Sequence, residues 1–192
     1  MPVNTSRCVD ARGNHKLHGE QRLHMQRFIA ALRSGRYAQT QGKLRMDNLA
    51  GKPAFCCLGV ACDLVSRSGE VNIVWEPNNG DYAVLDADGD ESQKNFGWNE
   101  DGTLVVDRQE GLLPAAIIEV FGIAESSGHV HIFCDEMWDE HGWEGTCDHG
   151  QYRDPGRICK QLIGVEATSL NDDVGWDFDR IAEAFERTYL GM

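Results

Sequence analysis

Phe55-Cys56-Cys57-Leu58-Gly59-Val60-Ala61-Cys62-Asp63-Leu64, inside the longer stretch from Gly42 to Gly69, decides the fold class. Cys57, Val60, Ala61 and Leu64 recur at i, i+3, i+4 and i+7, the spacing of one helical face. Every residue from Ala54 to Cys62 is apolar or glycine, so this helix is expected to be enclosed on most sides. Gly59 would let a neighbouring backbone approach closely, and Gly69 stands where a C′ glycine ends a helix. The helix is the expected centre of the core.

On its N-terminal side, Met25, Phe28, Ile29 and Leu32 repeat the same spacing within Glu20–Ser34, and Gly35 stops that helix. Residues 1–19 are polar and read as a flexible arm. Between the two helices, Tyr37, Leu44 and Met46 keep a period of two, which suggests a short strand or hairpin edge.

On the C-terminal side, Val71–Trp75, Tyr82–Leu85 and Thr103–Val106 read as strands joined by polar turns. Leu112–Gly122 reads as a short buried helix, with Pro114 in its first turn and Gly122 at C′. Residues 124–157 hold four of the seven histidines and no long apolar period, and read as an inserted excursion. Ile158–Val165 returns to the core. Phe178, Ile181, Ala182 and Phe185 mark a last amphipathic helix with Asp177 as its N-cap. The expected fold is α+β. Three to four helices pack on a small antiparallel sheet within one domain, 20–192, carrying a loop-rich insertion.

Composition bounds the function. The 192 residues carry 18 basic and 31 acidic side chains, a net charge of −13. That argues against general nucleic-acid binding, whose affinity comes from neutralising phosphates. It fits either a solvated acidic surface or a face that mimics nucleic acid on a basic partner. No run of 18 apolar residues exists, so no transmembrane helix is expected. Met1–Gly19 holds no apolar stretch of the secretory kind, which makes the cytoplasm the expected location. Seven cysteines, two of them adjacent, read as free thiols rather than a disulfide framework.

The block Phe55-Cys56-Cys57-Leu58-Gly59-Val60, the lead-in Ala31–Gln39 and Gly42–Arg45, and the distant Leu170-Asn171-Asp172 before Phe178–Ala182 carry a resemblance. The layout resembles a family of small uncharacterised proteins of tailed bacteriophages and prophages. The likeness covers roughly residues 23–69, 112–123 and 165–189. It implies a phage origin and a host-cell setting rather than a particular chemistry.

Four groups of residues are candidates for function. Cys56 and Cys57, with Asn171 and Asp172, could form a cysteine-dependent hydrolase if the fold supplied a histidine; otherwise the cysteines pack and Asn171-Asp172 forms a turn. His129, His131, Cys134, Cys147 and His149, with His141 and Cys159 nearby, offer imidazole and thiolate to a structural zinc, and residues 129 and 131 would share one face of a strand. Arg33, Arg36 and Lys43 are the basic groups nearest to a possible nucleotide pocket. Trp138 and Trp143 are candidate contact points for a partner protein. The turn Asp86–Asp90 resembles a calcium loop, but its glycine falls too early. The leading expectation is a non-enzymatic phage accessory protein that binds a host or defence protein or a small signalling molecule. The hydrolase and a zinc-stapled module are the alternatives.

Overall fold

The structure is a computed structural model that describes residues 17, 19–48, 50–75, 82–85, 91–94, 97–98, 104–105, 112–133, 136 and 162–191. Helix α1 (Gly19–Leu32) buries Met25, Phe28, Ile29 and Leu32, the four positions its period singles out. Leu17, just ahead of it, is buried too and lies against Gly122, so the expected arm touches the core at this residue.

Three short strands follow: β1 (Ala38–Gln39), β2 (Arg45–Asp47) and β3 (Pro53–Phe55). They form a sheet of order β1-β3-β2, with β3 parallel to β1 and antiparallel to β2. The apolar run Ala54–Cys62 is therefore not helical throughout. Phe55 gives its carbonyl to Thr40 N (2.9 Å), and Cys56 N donates to Leu44 O (3.2 Å). Those bonds hold the start of the run in the sheet, and α2 begins only at Cys57.

Helix α2 (Cys57–Ser68) is the centre of the molecule. It touches α1, β3, the strand that follows it and two later helices. Its N-cap is Cys56, whose Sγ accepts from Gly59 N at 3.4 Å, and Gly69 closes it in the left-handed conformation at φ 76°. A Cβ at Gly59 would fall on the Leu44 carbonyl, which is the close backbone approach the sequence suggests. Asp63, a carboxylate on this apolar helix, is buried but satisfied by Tyr37 Oη (2.8 Å) and Arg67 Nε (2.8 Å).

Strands β4 (Asn72–Trp75), β5 (Tyr82–Leu85) and β6 (Glu91–Lys94) make an antiparallel sheet, with buried Ile73 opposite buried Val84. Strands β7 (Gly97–Trp98) and β8 (Leu104–Val105) form a separate antiparallel pair. Helix α3 (Ala115–Phe121) runs from Pro114 as N-cap to Gly122 at φ 65°. Gln21 Nε2 donates to Glu119 O (3.1 Å) and ties it to α1.

Strand β9 (His129–Phe133) pairs antiparallel with β10 (Leu162–Glu166). Val130 and Ile132 are completely buried, so the beginning of the stretch expected as an excursion is a core strand. Its five residues are too few for a period to stand out among histidines. Helix α4 (Ala167–Asp172) follows β10 directly, in a place that reads as a turn. No side chain caps it; Ala167 N and Thr168 N instead reach the carbonyls of Gly128 and Ser127. Helix α5 (Phe178–Phe185) is capped by Asp177, which accepts from Arg180 N at 2.9 Å, and widens into a π-helical turn over Glu186–Leu190. The fold is α+β. Aromatic residues from its far-apart segments meet in one core, with Phe28 edge-on to both Phe121 (5.6 Å) and Phe185 (5.0 Å).

Candidate functional site

The cysteine helix and the Leu170-Asn171-Asp172 segment do meet. Cys57 Sγ donates to Ala167 O at 3.6 Å. Burial, and then the neighbouring Cys56, push the Cys57 thiol well above its ordinary pKa, with the charge of Asp172 adding to the effect. Burial does the same to Cys62. A nucleophilic cysteine needs the opposite environment, one that favours thiolate. Cys56 and Cys57 are 1% and 0% exposed, and among the described residues no hydrogen bond joins either one to a histidine. These thiols pack.

Asn171 is fully buried and staples the β1 end to α4. Its Nδ2 donates to Thr40 O (2.8 Å) and Asp172 Oδ1 (2.6 Å), while its Oδ1 accepts from Gln39 Nε2 (2.9 Å). Gln39 also reaches Trp176 O (2.7 Å), and Gln41 Nε2 reaches Asn171 O (3.0 Å). A buried amide with this many partners is a structural node, since each of its polar groups would be costly to bury unpaired.

The basic trio does not converge on one pocket. Arg33 pairs with Glu186 across the fold at 2.7 Å, which raises its pKa. Arg36 is exposed and Lys43 half-buried. His129 and His131 do share the outward face of β9, with ring centroids 5.1 Å apart and planes at 90°. Burial, and then the charge of His129, lower the His131 pKa. Cys134, Cys147, His149, His141, Cys159, Trp138 and Trp143 lie outside the described residues. Among the described residues no three metal-ligating side chains gather.

A different cluster emerges where α5 and the π-turn pass β9. Trp176, Arg180, Glu183, Ala184 and Arg187 line a cleft with Glu136. The Arg180 guanidinium lies 4.1 Å from the Trp176 ring centroid, and that of Arg187 lies 4.5 Å from the Phe133 ring. Glu136 takes Arg187 with both oxygens (2.8 and 2.9 Å) and also accepts from Phe133 N (2.7 Å). Such a forked pair over an aromatic ring suits arginine and would not suit lysine.

The π-turn aims consecutive side chains at the outer edge of β9. Arg187 approaches His131 O (3.4 Å), Thr188 Oγ1 accepts from His131 N (2.6 Å) and Tyr189 Oη donates to His129 O (2.8 Å). Trp176 is 3% exposed, and its Nε1 has no hydrogen-bond partner among the described residues. The cleft is small, with a cavity volume of about 10 Å³, room for about one water molecule. A site for a drug-sized ligand runs to about 300–1,000 Å³. This cleft is therefore too small for a nucleotide. The sequence signal for it was the triplet Arg180, Glu183 and Arg187 on one helical face; its partners Glu136 and Phe133 are remote in the chain.

Among the described residues no helix is long and apolar enough to cross a membrane. No curated protein and no solved structure matches the chain. A family described as a domain of unknown function, DUF8296, matches residues 20–189, and with most of its length inside that match the chain belongs to this family.

Proposed function

We propose that this is a non-enzymatic accessory protein, encoded by a phage, that binds a host or defence protein in the host cytoplasm. The supporting observation is the cleft beside α5. Trp176, whose buried indole N–H has no partner among the described residues, lines it, and two guanidinium groups held over aromatic rings flank it. Guanidinium N–H groups take carboxylate or carbonyl oxygens, which a partner's surface would supply. The cleft is too small to enclose a free signalling nucleotide, which favours a partner's surface laid across its mouth. The packed thiols of Cys56 and Cys57 give the hydrolase alternative little support.

The test is capture from host lysate by the full chain, followed by reconstitution with the purified partner. One partner at fixed stoichiometry, weakened tenfold or more by Arg180→Glu and not weakened by Glu183→Lys at the exposed lip of the cleft, is the expected result. Native mass spectrometry showing a co-purified nucleotide, and no protein partner, would replace this reading with small-molecule binding.

A zinc-stapled module is the second reading. One observation favours it: His129 and His131 share a face, and burial favours the neutral imidazole that binds metal. A melting temperature unmoved by a strong chelator would remove it.

A further inference from the structure

The two-stranded sheet β9–β10 has two outer edges, and the described residues cover only one. On β9, the backbone groups of His129, His131 and Phe133 turn toward Tyr189, Thr188, Arg187 and Glu136. Strand alternation then turns Val130 and Ile132 toward β10, where the register sets them against Val165 and Ile163. The N–H groups of Leu162, Gly164 and Glu166 therefore point away from β9, as do the carbonyls of Leu162 and Gly164. None of these groups is hydrogen-bonded to another of the described residues. Leu162 and Gly164 are also solvent-exposed, Leu162 by 42%. Proteins usually guard such an edge with a lysine, a proline or a bulge. Here β10 reads Leu-Ile-Gly-Val-Glu, pairs without a register shift, and carries one charge, Glu166 at its end.

We propose that the outer edge of β10, the one turned away from β9, takes up a short, basic, extended segment of a partner protein as a third, antiparallel strand. Strand addition draws affinity from main-chain hydrogen bonds and selectivity from alternate side chains. The occupant follows from charge and area. Glu166 and the net charge of −13 favour a basic segment and oppose a second copy of equal charge. A five-residue edge also falls well short of the ~1,200 Å² that a stable specific dimer buries. In antiparallel register a basic residue faces Glu166, a small residue faces Gly164 and an apolar residue faces Leu162. The small residue is required because the His129 ring already lies over Gly164. Between them, two β-branched residues continue the half-buried row of Ile163 and Val165. This edge is on the far side of the sheet from α5. The inference goes beyond the proposed cleft and stands independently of it.

The probe is a synthetic, terminally blocked, fluorescent peptide Lys-Lys-Val-Ala-Val-Leu, titrated by anisotropy into the full chain. Its alanine and leucine amides face β10; the two valine amides face away. Saturable binding is expected. N-methylation of the alanine and leucine amides should weaken it by about tenfold or more, and N-methylation of the valines by less than about twofold. Glu166→Lys should weaken it as well; Glu166 makes no side-chain cap bond to α4, so the variant is expected to fold. Arg180→Glu should leave it unchanged, which separates this edge from the cleft. Absence of saturable binding, or equal loss from both methylation patterns, overturns the proposal. A protein dimer broken by Leu162→Pro would also overturn it, by giving the edge to a second copy.

Discussion

The carbonyl of Leu44 occupies the place where a side chain at Gly59 would begin. That carbonyl also receives Cys56 N, so it cannot move aside without loosening the N-terminus of α2. Gly59→Ala is expected to cost more than about 3 kcal/mol, the upper end of ordinary overpacking. Gly69→Ala makes a control: its φ of 76° is left-handed but the space around it is open, so about 1–2 kcal/mol is expected. Thermal melts of the two variants should differ clearly. Equal melting temperatures would mean that the Leu44 carbonyl does not press on α2.

Cys56, Cys57 and Cys62 should alkylate only as fast as the protein opens. Burial keeps all three out of reach, and the raised pKa of Cys57 and Cys62 keeps those two protonated. Iodoacetamide labelling near neutral pH, read peptide by peptide, should leave these three unmodified until denaturant is added. Rapid labelling of Cys56 or Cys57 in the native protein would revive the hydrolase.

Replacing Asn171 by Asp turns two donors into acceptors facing the Thr40 carbonyl and the Asp172 carboxylate. Asn171→Asp should therefore destabilise more than Asn171→Ala, which leaves polar groups unpaired at about 1–3 kcal/mol. Urea unfolding of both variants measures the order. If Asp proved the milder change, the Asn171 amide would have to point the other way, with its oxygen toward Gln39 replaced by its nitrogen.

The lowered pKa of His131 carries a pH dependence. Below its unfolded value of 6.5 the unfolded chain binds a proton more readily than the folded one. Stability is therefore complete above pH 6.5 and falls as the pH drops through the folded value, before carboxylates titrate near about pH 4. His131→Asn should flatten the dependence of the unfolding free energy on pH in that window. An unchanged slope would assign the effect to other groups.

The legible parts of this chain were those with a repeating period or a local signal. Met25, Phe28, Ile29 and Leu32 named their own face. Asp177, Gly69 and Gly122 marked helix ends through chemistry that acts within one turn. What stayed hidden depends on distant partners. The Ala54–Cys62 run splits into strand and helix because β1 and β2 claim its first backbone groups. Helix α4 starts without a side-chain cap, on carbonyls lent by the turn at Ser127 and Gly128. The cleft likewise needs Glu136 and Phe133 brought against Arg187, a pairing that no spacing along the chain announces.

The aromatic contacts of Phe28 reach residues 121 and 185, so the centre of the molecule is assembled from segments that lie far apart along the chain. Loop closure over such separations comes before any of these contacts can form, and folding rates fall as contacting residues lie further apart. The core therefore closes only once these distant segments have met. A nascent or truncated chain that lacks Phe185 would leave Phe28 and Phe121 facing water, in a form open to proteases and chaperones.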